Sequence, residues 1–270
     1  MYNNIFTTQK PIIGMVHLKP LPGSPEYDAQ GGMDSIISHA VAEARRLEEG
    51  GVDALQIENQ FDRPFLKPEK IGFETVSAIT AASLAVKSSV KLPIGINVHL
   101  NGVNQAIAIA QSSGAQWVRA FELANAYISN SGVVQAAGPE ALRYRSFLKA
   151  ENIMLFGDFH VKHGSHSIIA DRTLSEQAED VAESGAEAVI VTGTKTGSAP
   201  SYEDVRVIKE SVSVPVLIGS GLAFENLDEL MPVIDGAIVG SYFKEDGKIE
   251  NNIDVQRVSD FMKKASSLRS

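Results

Sequence analysis

Short apolar runs rich in valine and isoleucine recur along the chain. Longer stretches separate them, with apolar residues every three or four positions. The runs are IIGMVHL (12–18), ALQIEN (54–59), PIGINVH (93–99), WVRAFE (117–122), IMLFGDFH (153–160), AVIVTG (188–193), PVLIGSG (215–221) and GAIVGSY (236–242). Their length and β-branched content predict strands buried on both faces. The intervening stretches predict amphipathic helices: within 34–49, Ile36, Ile37, Ala40, Val41, Ala44 and Leu47 recur at helical spacing. In EEGGVDA, QSSGAQW and AESGAEA a glycine separates the helical stretch from the next strand. A left-handed residue closes a helix at such a position.

Eight strand-plus-helix units in 270 residues predict an α/β fold, a single (β/α)8 TIM barrel. One domain is expected over 1–270, with its core at about 11–265. The rival, a doubly wound open sheet, wants a glycine-rich dinucleotide loop after the first strand. HLKPLPGSP stands there instead.

Composition narrows the partners. A net charge of −9 without a concentrated lysine or arginine tract argues against nucleic acid but permits a local cationic patch for an anionic small molecule. The absence of cysteine excludes disulfides, zinc-thiolate centres and cysteine nucleophiles. MYNNIFTTQKP lacks the basic-then-apolar order of a signal peptide. No apolar run approaches the roughly 18 residues that span a bilayer. The expectation is a cytoplasmic protein without an integral membrane segment, and at base rates a homo-oligomer.

In a barrel of this kind the site is built where the strands end. The runs do end in polar residues: His17, Glu58, Asn97 with His99, Glu122, Asp158 with His160, Thr192, Ser220 and Ser241. The densest case is GDFHVKHGSH (157–166), which holds three of the six histidines. Strand alternation puts Asp158, His160 and Lys162 on one side and Phe159 and Val161 on the other. Helices cover the outer face, so the polar set is expected to face the barrel mouth. His160, Lys162, Glu58 and His17 are therefore the candidate catalytic groups, and Asp158 either joins them or orients a neighbour. Lys162 suits an ammonium that holds an anion, or a Schiff-base lysine. Arg119 has the inward phase and needs an anionic partner, from Glu122, Asp158 or a ligand. Asn97, His99, Arg119, Glu122, His163 and Thr192 are candidate substrate contacts, while His166 is expected in solvent.

His17, His99 and His160 end odd-numbered strands, which share layers of a barrel interior. Together with Asp158 or Glu58 they would form a set that a divalent metal accepts. The short spacings of an HxH strand motif are absent. Proton transfer by histidine is the preferred chemistry, and no metal ligand is assigned.

Gly219, Ser220 and Gly221 follow the seventh run, and Gly240 with Ser241 closes the eighth. Loops after these two strands make the phosphate site of many such barrels, so a small phosphorylated molecule is the expected ligand. Lys244 either adds charge there or lies in solvent. TGTKTGSAPSYEDV (192–205) is glycine-punctuated and hydroxyl-rich, and is expected to close over the ligand through Thr194, Lys195 or Thr196. The proline-bearing segments 19–32 and 59–72, with Asp28, Asp62, Arg63 and Lys67, are expected to wall the pocket.

The stretches GMVHLKPLPGSP (14–25), GVDALQIENQFDRPF (51–65), GDFHVKHGSH (157–166), VTGTKTGSAP (191–200) and IGSGL (218–222) together resemble the BtpA/SgcQ family over nearly the whole chain. The resemblance implies a TIM barrel of the ribulose-phosphate-binding kind. It also implies that His17, Glu58, Lys162, His163, Thr192 and Gly219 to Gly221 lie on shared motifs. One description of the family ties it to photosystem I biogenesis, another to nucleosidase or sugar-phosphate chemistry. Two readings are open. The first is an enzyme acting on a sugar phosphate or nucleotide-like compound by isomerase, lyase or glycosidic-hydrolase chemistry. The second is a non-catalytic assembly or regulatory factor for a membrane complex.

Overall fold

The computed structural model describes residues 2–193 and 199–269. Its strands are β1 Ile12–His17, β2 Ala54–Glu58, β3 Ile94–Asn97, β4 Trp117–Ala120, β5 Ala126–Ser129, β6 Gly132–Gln135, β7 Met154–Phe159, β8 Ala188–Val191, β9 Val216–Ile218 and β10 Gly236–Val239. Eight of them close into a barrel in the order β1-β10-β9-β8-β7-β4-β3-β2, and every neighbouring pair is parallel. The eight predicted strands are these eight, each one to four residues shorter than its apolar run.

The helices are α1 Tyr2–Ile5, α2 Gly32–Gly50, α3 Phe73–Ser89, α4 Val103–Ser113, α5 Gly138–Phe147, α6 Leu174–Glu183, α7 Tyr202–Ser211, α8 Leu227–Leu230 and α9 Val255–Ser267. Gly51 and Gly114 take the left-handed conformation that ends α2 and α4, as the repeated glycines predict. The unit between β9 and β10 is the thinnest, since α8 spans only four residues.

The core has two parts. Outward-facing residues of the strands pack with the helices in one large cluster. Inward-facing residues fill the lower barrel: Met15, Trp117, Met154, Phe156, Ile190 and Leu217 are all buried there. Trp117 crosses the interior, and its Nε1 donates to the buried Gln56 Oε1 at 2.7 Å. A Cβ at Gly95 would lie 2.1 Å from this indole, so only glycine fits there. Below, α1 closes the barrel, with Phe6 5.4 Å from Trp117 and Tyr2 6.0 Å from Phe156 between ring centroids. Above this cluster His17, Glu58, Asn97, Arg119 and Asp158 are all buried at the strand ends.

Two elements lie outside the repeating pattern of strand and helix. One is the α1 plug. The other is the β5–β6 hairpin after β4, which reaches over the mouth. Ile128 exchanges backbone hydrogen bonds with Ser165 at 3.0 and 2.8 Å, tying the hairpin to the loop after β7. Gly164 makes this possible, because a Cβ there would stand 2.3 Å from the Tyr127 ring.

Candidate active site

The barrel mouth holds a cavity of about 640 Å³ whose walls differ in chemistry. At its floor Glu58 and His17 end β2 and β1, both almost fully buried. Asn97 Nδ2 donates to Glu58 Oε2 at 2.8 Å, and His99 Nε2 stands 3.1 Å from Glu58 Oε1. Burial alone would raise the Glu58 carboxyl. His99, then His17 and Arg119, outweigh it and hold the group at about 2, so it is ionised at neutral pH. Burial has the opposite result for His17: it outweighs the attraction of Glu58 and depresses the imidazole to about 3. A neutral imidazole therefore stands beside an anionic carboxylate.

Arg119 completes the floor. Its Nε and Nη2 both donate to Asp158, each at 2.7 Å, with both side chains buried. Burial works against the guanidinium charge, but this bidentate contact holds Arg119 above the ordinary arginine range. Of the three partners expected for Arg119, the structure selects Asp158, which is thereby committed to holding the arginine. Gly219 is required by this pair, because a Cβ there would come 2.8 Å from Arg119 Nη2 and 2.4 Å from Ile190 Cγ2.

Lys162 reaches into the cavity from the loop after β7, and its Nζ donates to Ser220 Oγ at 3.0 Å. Burial, reinforced by Arg119, lowers its pKa below that of an ordinary lysine. Gly219, Ser220, Gly221, Gly240 and Ser241 all line this wall. Sequence reasoning missed Arg257 of α9, which joins them. Its guanidinium sits 4.7 Å from the Tyr242 ring and its Nε donates to Tyr242 O at 2.9 Å.

Several expected contacts fall elsewhere. His160 follows the last residue of β7 and has φ +51, a left-handed residue that breaks the strand alternation. Its exposed ring stacks on His166 at 4.2 Å and approaches Gln177 of α6 at 3.4 Å, so Val161 and Lys162 line the cavity in its place. The convergence of His17, His99 and His160 is therefore corrected: two meet at Glu58 and the third lies outside. Among the described residues, no group of three or more such side chains is placed to hold a metal ion. His166 is half-buried, its Nε2 donating to Val161 O at 2.8 Å and its ring stacked 5.5 Å from Tyr127, in contrast to the solvated placement expected. His163 lines the cavity rim.

Glu122 is buried behind the wall, with Oε2 lacking a partner. Burial and then Asp158 push its carboxyl up to about 9. Thr192 packs against Gly219 without lining the cavity. Lys244 is neither a phosphate contact nor in solvent: it is buried in an ion pair with Glu43 of α2. Thr194, Lys195 and Thr196 lie outside the described residues. Of the predicted rim residues, Arg63 lines the cavity, whereas Asp62 bonds Leu21 N and Asn59 Nδ2 within the loops.

The remaining wall is apolar: Phe65, Leu100, Phe121, Tyr127 and Val161 face the cavity in a cluster separate from the core. Its signal was present in AYISNSGVVQ (126–135), two short β-prone runs around a polar, glycine-bearing turn.

The BtpA family model matches residues 8–267. An uncharacterised protein of Methanocaldococcus jannaschii is 38% identical over 263 residues, covering 97% of each chain. The photosystem I biogenesis protein BtpA of Synechocystis is 36% identical over 259 residues, 95% of this chain and 88% of that one. Among solved structures, tryptophan synthase of Mycobacterium tuberculosis superposes with a TM-score of 0.61 at 14% identity, covering 96% of this chain and 92% of that one. N-(5′-phosphoribosyl)anthranilate isomerase of Pyrococcus furiosus does so at 0.56 and 14%, covering 96% and 99%. At such identities the superpositions establish a shared barrel fold. No helix among the described residues is long and apolar enough to cross a membrane.

Proposed function

The chain belongs to the BtpA family, and from the geometry of its barrel mouth we propose an enzyme that performs acid–base chemistry on a small phosphorylated metabolite. One observation carries this reading: a single cavity joins the cationic, glycine-rich wall of Lys162, Ser220 and Arg257 to the buried pair of Glu58 and His99, with Asn97 bonded to Glu58 behind them. The phosphate rests against Gly219–Gly221 and Gly240–Ser241, with Lys162 and Arg257 offsetting its charge. This leaves the neighbouring carbon over the floor.

The pKa order assigns the roles there. Glu58, held at about 2, is a weak base and serves to orient His99 and to stabilise positive charge developing on the substrate. His17, neutral at any physiological pH, offers a hydrogen bond without adding charge. Lys162, depressed by burial, gives up a proton more readily than an exposed lysine. Such an array serves isomerase, lyase or glycosidic-hydrolase chemistry, each of which moves a proton beside the reacting carbon. A cytoplasmic protein, working among phosphorylated metabolites, fits the same reading.

The test is a thermal-shift panel of phosphorylated compounds, each beside its unphosphorylated counterpart. A ligand at about 100 times its Kd adds roughly 2.7 kcal/mol, which raises Tm by about 5 °C or more in a chain of this size. Lys162→Ala is expected to abolish the phosphate-specific rise. Glu58→Gln is expected to keep it while losing turnover. Silence of the whole panel would sink the reading. It would favour the second one, a non-catalytic assembly factor, whose support is the biogenesis role in the name of the Synechocystis relative.

A further inference from the structure

We propose that the apolar wall of the mouth is a subsite for a planar ring, so that the substrate is a phosphoester carrying an aromatic or heterocyclic group rather than a bare sugar phosphate. The inference rests on the phosphate reading above and extends it to the other end of the cavity.

The strand order fixes the layout. Around the circle β1-β10-β9-β8-β7-β4-β3-β2, β9 stands opposite β3 and β10 opposite β4. The glycine-rich wall lies just beyond β9 and β10. The apolar wall is built from the segments after β3 and β4: His99 and Leu100 from one, Phe121 and the Tyr127 hairpin from the other. Between the two walls, Glu58 and His17 occupy one flank and Lys162 the other. A molecule held by phosphate at one end and crossing the floor groups therefore ends against the aromatic wall.

That wall has the construction of a stacking site. Phe65 lies parallel to the His99 ring at 4.2 Å with an interplanar angle of 13°, and Phe121 is the other ring neighbour of His99, at 4.7 Å. Tyr127 and Val161 continue the surface. These residues form a satellite cluster, distinct from the two clusters that fill the barrel and its helical layer. Leu100, Phe121, Tyr127 and Val161 line the cavity while already buried against one another, and Phe65 beside them is half-buried, so the wall is a largely preformed apolar face of the kind that small-molecule pockets use. The polar groups at this end, Gln60 after β2, Ser129 at the end of β5 and Asn130 in the hairpin turn, rim the wall, where the edge of a heterocycle would find hydrogen bonds. An open-chain polyol phosphate would set hydroxyls against rings and satisfy neither.

The experiment measures the affinity of the full chain by calorimetry for inorganic phosphate, ribose 5-phosphate, 5′-UMP and 1-naphthyl phosphate, with uridine as the phosphate-free arm. Stacking on protein rings predicts that 5′-UMP or 1-naphthyl phosphate binds at least about tenfold more tightly than ribose 5-phosphate, equivalent to about 1.4 kcal/mol. Phe65→Ala, in a half-buried loop position, is expected to erase most of that advantage while ribose 5-phosphate binding stays within about twofold. Tyr127→Phe keeps the ring and is expected to keep the advantage. Equal affinity for ribose 5-phosphate and both ring compounds would overturn the ring subsite and leave the phosphate reading standing. Binding of uridine with all phosphates silent would retain the ring subsite and remove the phosphate reading. Silence of every arm would overturn both.

Discussion

At the scale of single residues, the site is governed by groups whose charge state burial has changed. Arg119 and Asp158 neutralise each other in the floor, and removing one partner leaves the other uncompensated. Arg119→Met is expected to cost about 3–5 kcal/mol, read from urea midpoints, and an unchanged midpoint would disprove the pairing. Glu122 gives a pH signature. Its pKa rises from 4.5 to about 9 on folding, so the folded chain keeps a proton that the unfolded chain releases. The stability this proton provides is complete below 4.5 and is lost as pH rises towards 9. Glu122→Gln is therefore expected to gain stability over the parent protein at pH 8 compared with pH 4, and parallel pH curves for the two would refute the assignment. His17 and Glu58 act on the acid side. Their folded values of about 3 and about 2 lie below their ordinary 6.5 and 4.5. Their contribution is present above those ordinary values and is lost as pH falls through the folded ones.

Elements decide which residues reach the mouth. Alternation along β7 correctly turns Asp158 inward, but the strand stops at Phe159, and one left-handed residue at His160 sends its ring to α6. The phase argument therefore holds for Asp158 and fails two residues later. Lys162 still reaches the cavity, by loop conformation and not by strand phase. The hairpin, which carries Tyr127, has no counterpart in the repeating strand-and-helix pattern. Its register to Ser165 forms only because Gly164 leaves room for the tyrosine ring. At the other end, α1 and the residue after it, Phe6, plug the barrel, with Phe6 only 6% exposed. Phe6→Ala is expected to destabilise the protein by about 3–5 kcal/mol, measured by denaturant unfolding. A loss below about 1 kcal/mol would mean the plug is dispensable.

For the whole molecule, the net charge of −9 contrasts with the mouth, where Arg63, Lys162 and Arg257 line the cavity with Glu58 as the carboxylate among them, and Arg119 is offset by Asp158. An acidic protein with a cationic mouth draws anions to that place. Phosphate binding is accordingly expected to weaken as salt rises from low to physiological concentration, since screening shortens the range of the field. Affinity independent of salt would argue that backbone amides alone hold the anion.

The sequence by itself determined the barrel, because eight apolar runs separated by helical stretches leave few other ways to bury both faces of every strand. It also marked His17 and Glu58, which end their strands, and Gly219 to Gly221 and Ser241, which line the same cavity one to three residues beyond β9 and two beyond β10. Tertiary structure alone decided that Asp158 serves Arg119, that Lys244 is buried against Glu43 and that His160 leaves the site. Distances between strands far apart in the chain, and the φ of a single residue after a strand, are set by packing that no local pattern encodes. Phe65, Tyr127 and Arg257 belong to the cavity for the same reason: three segments distant in sequence meet only when the barrel closes.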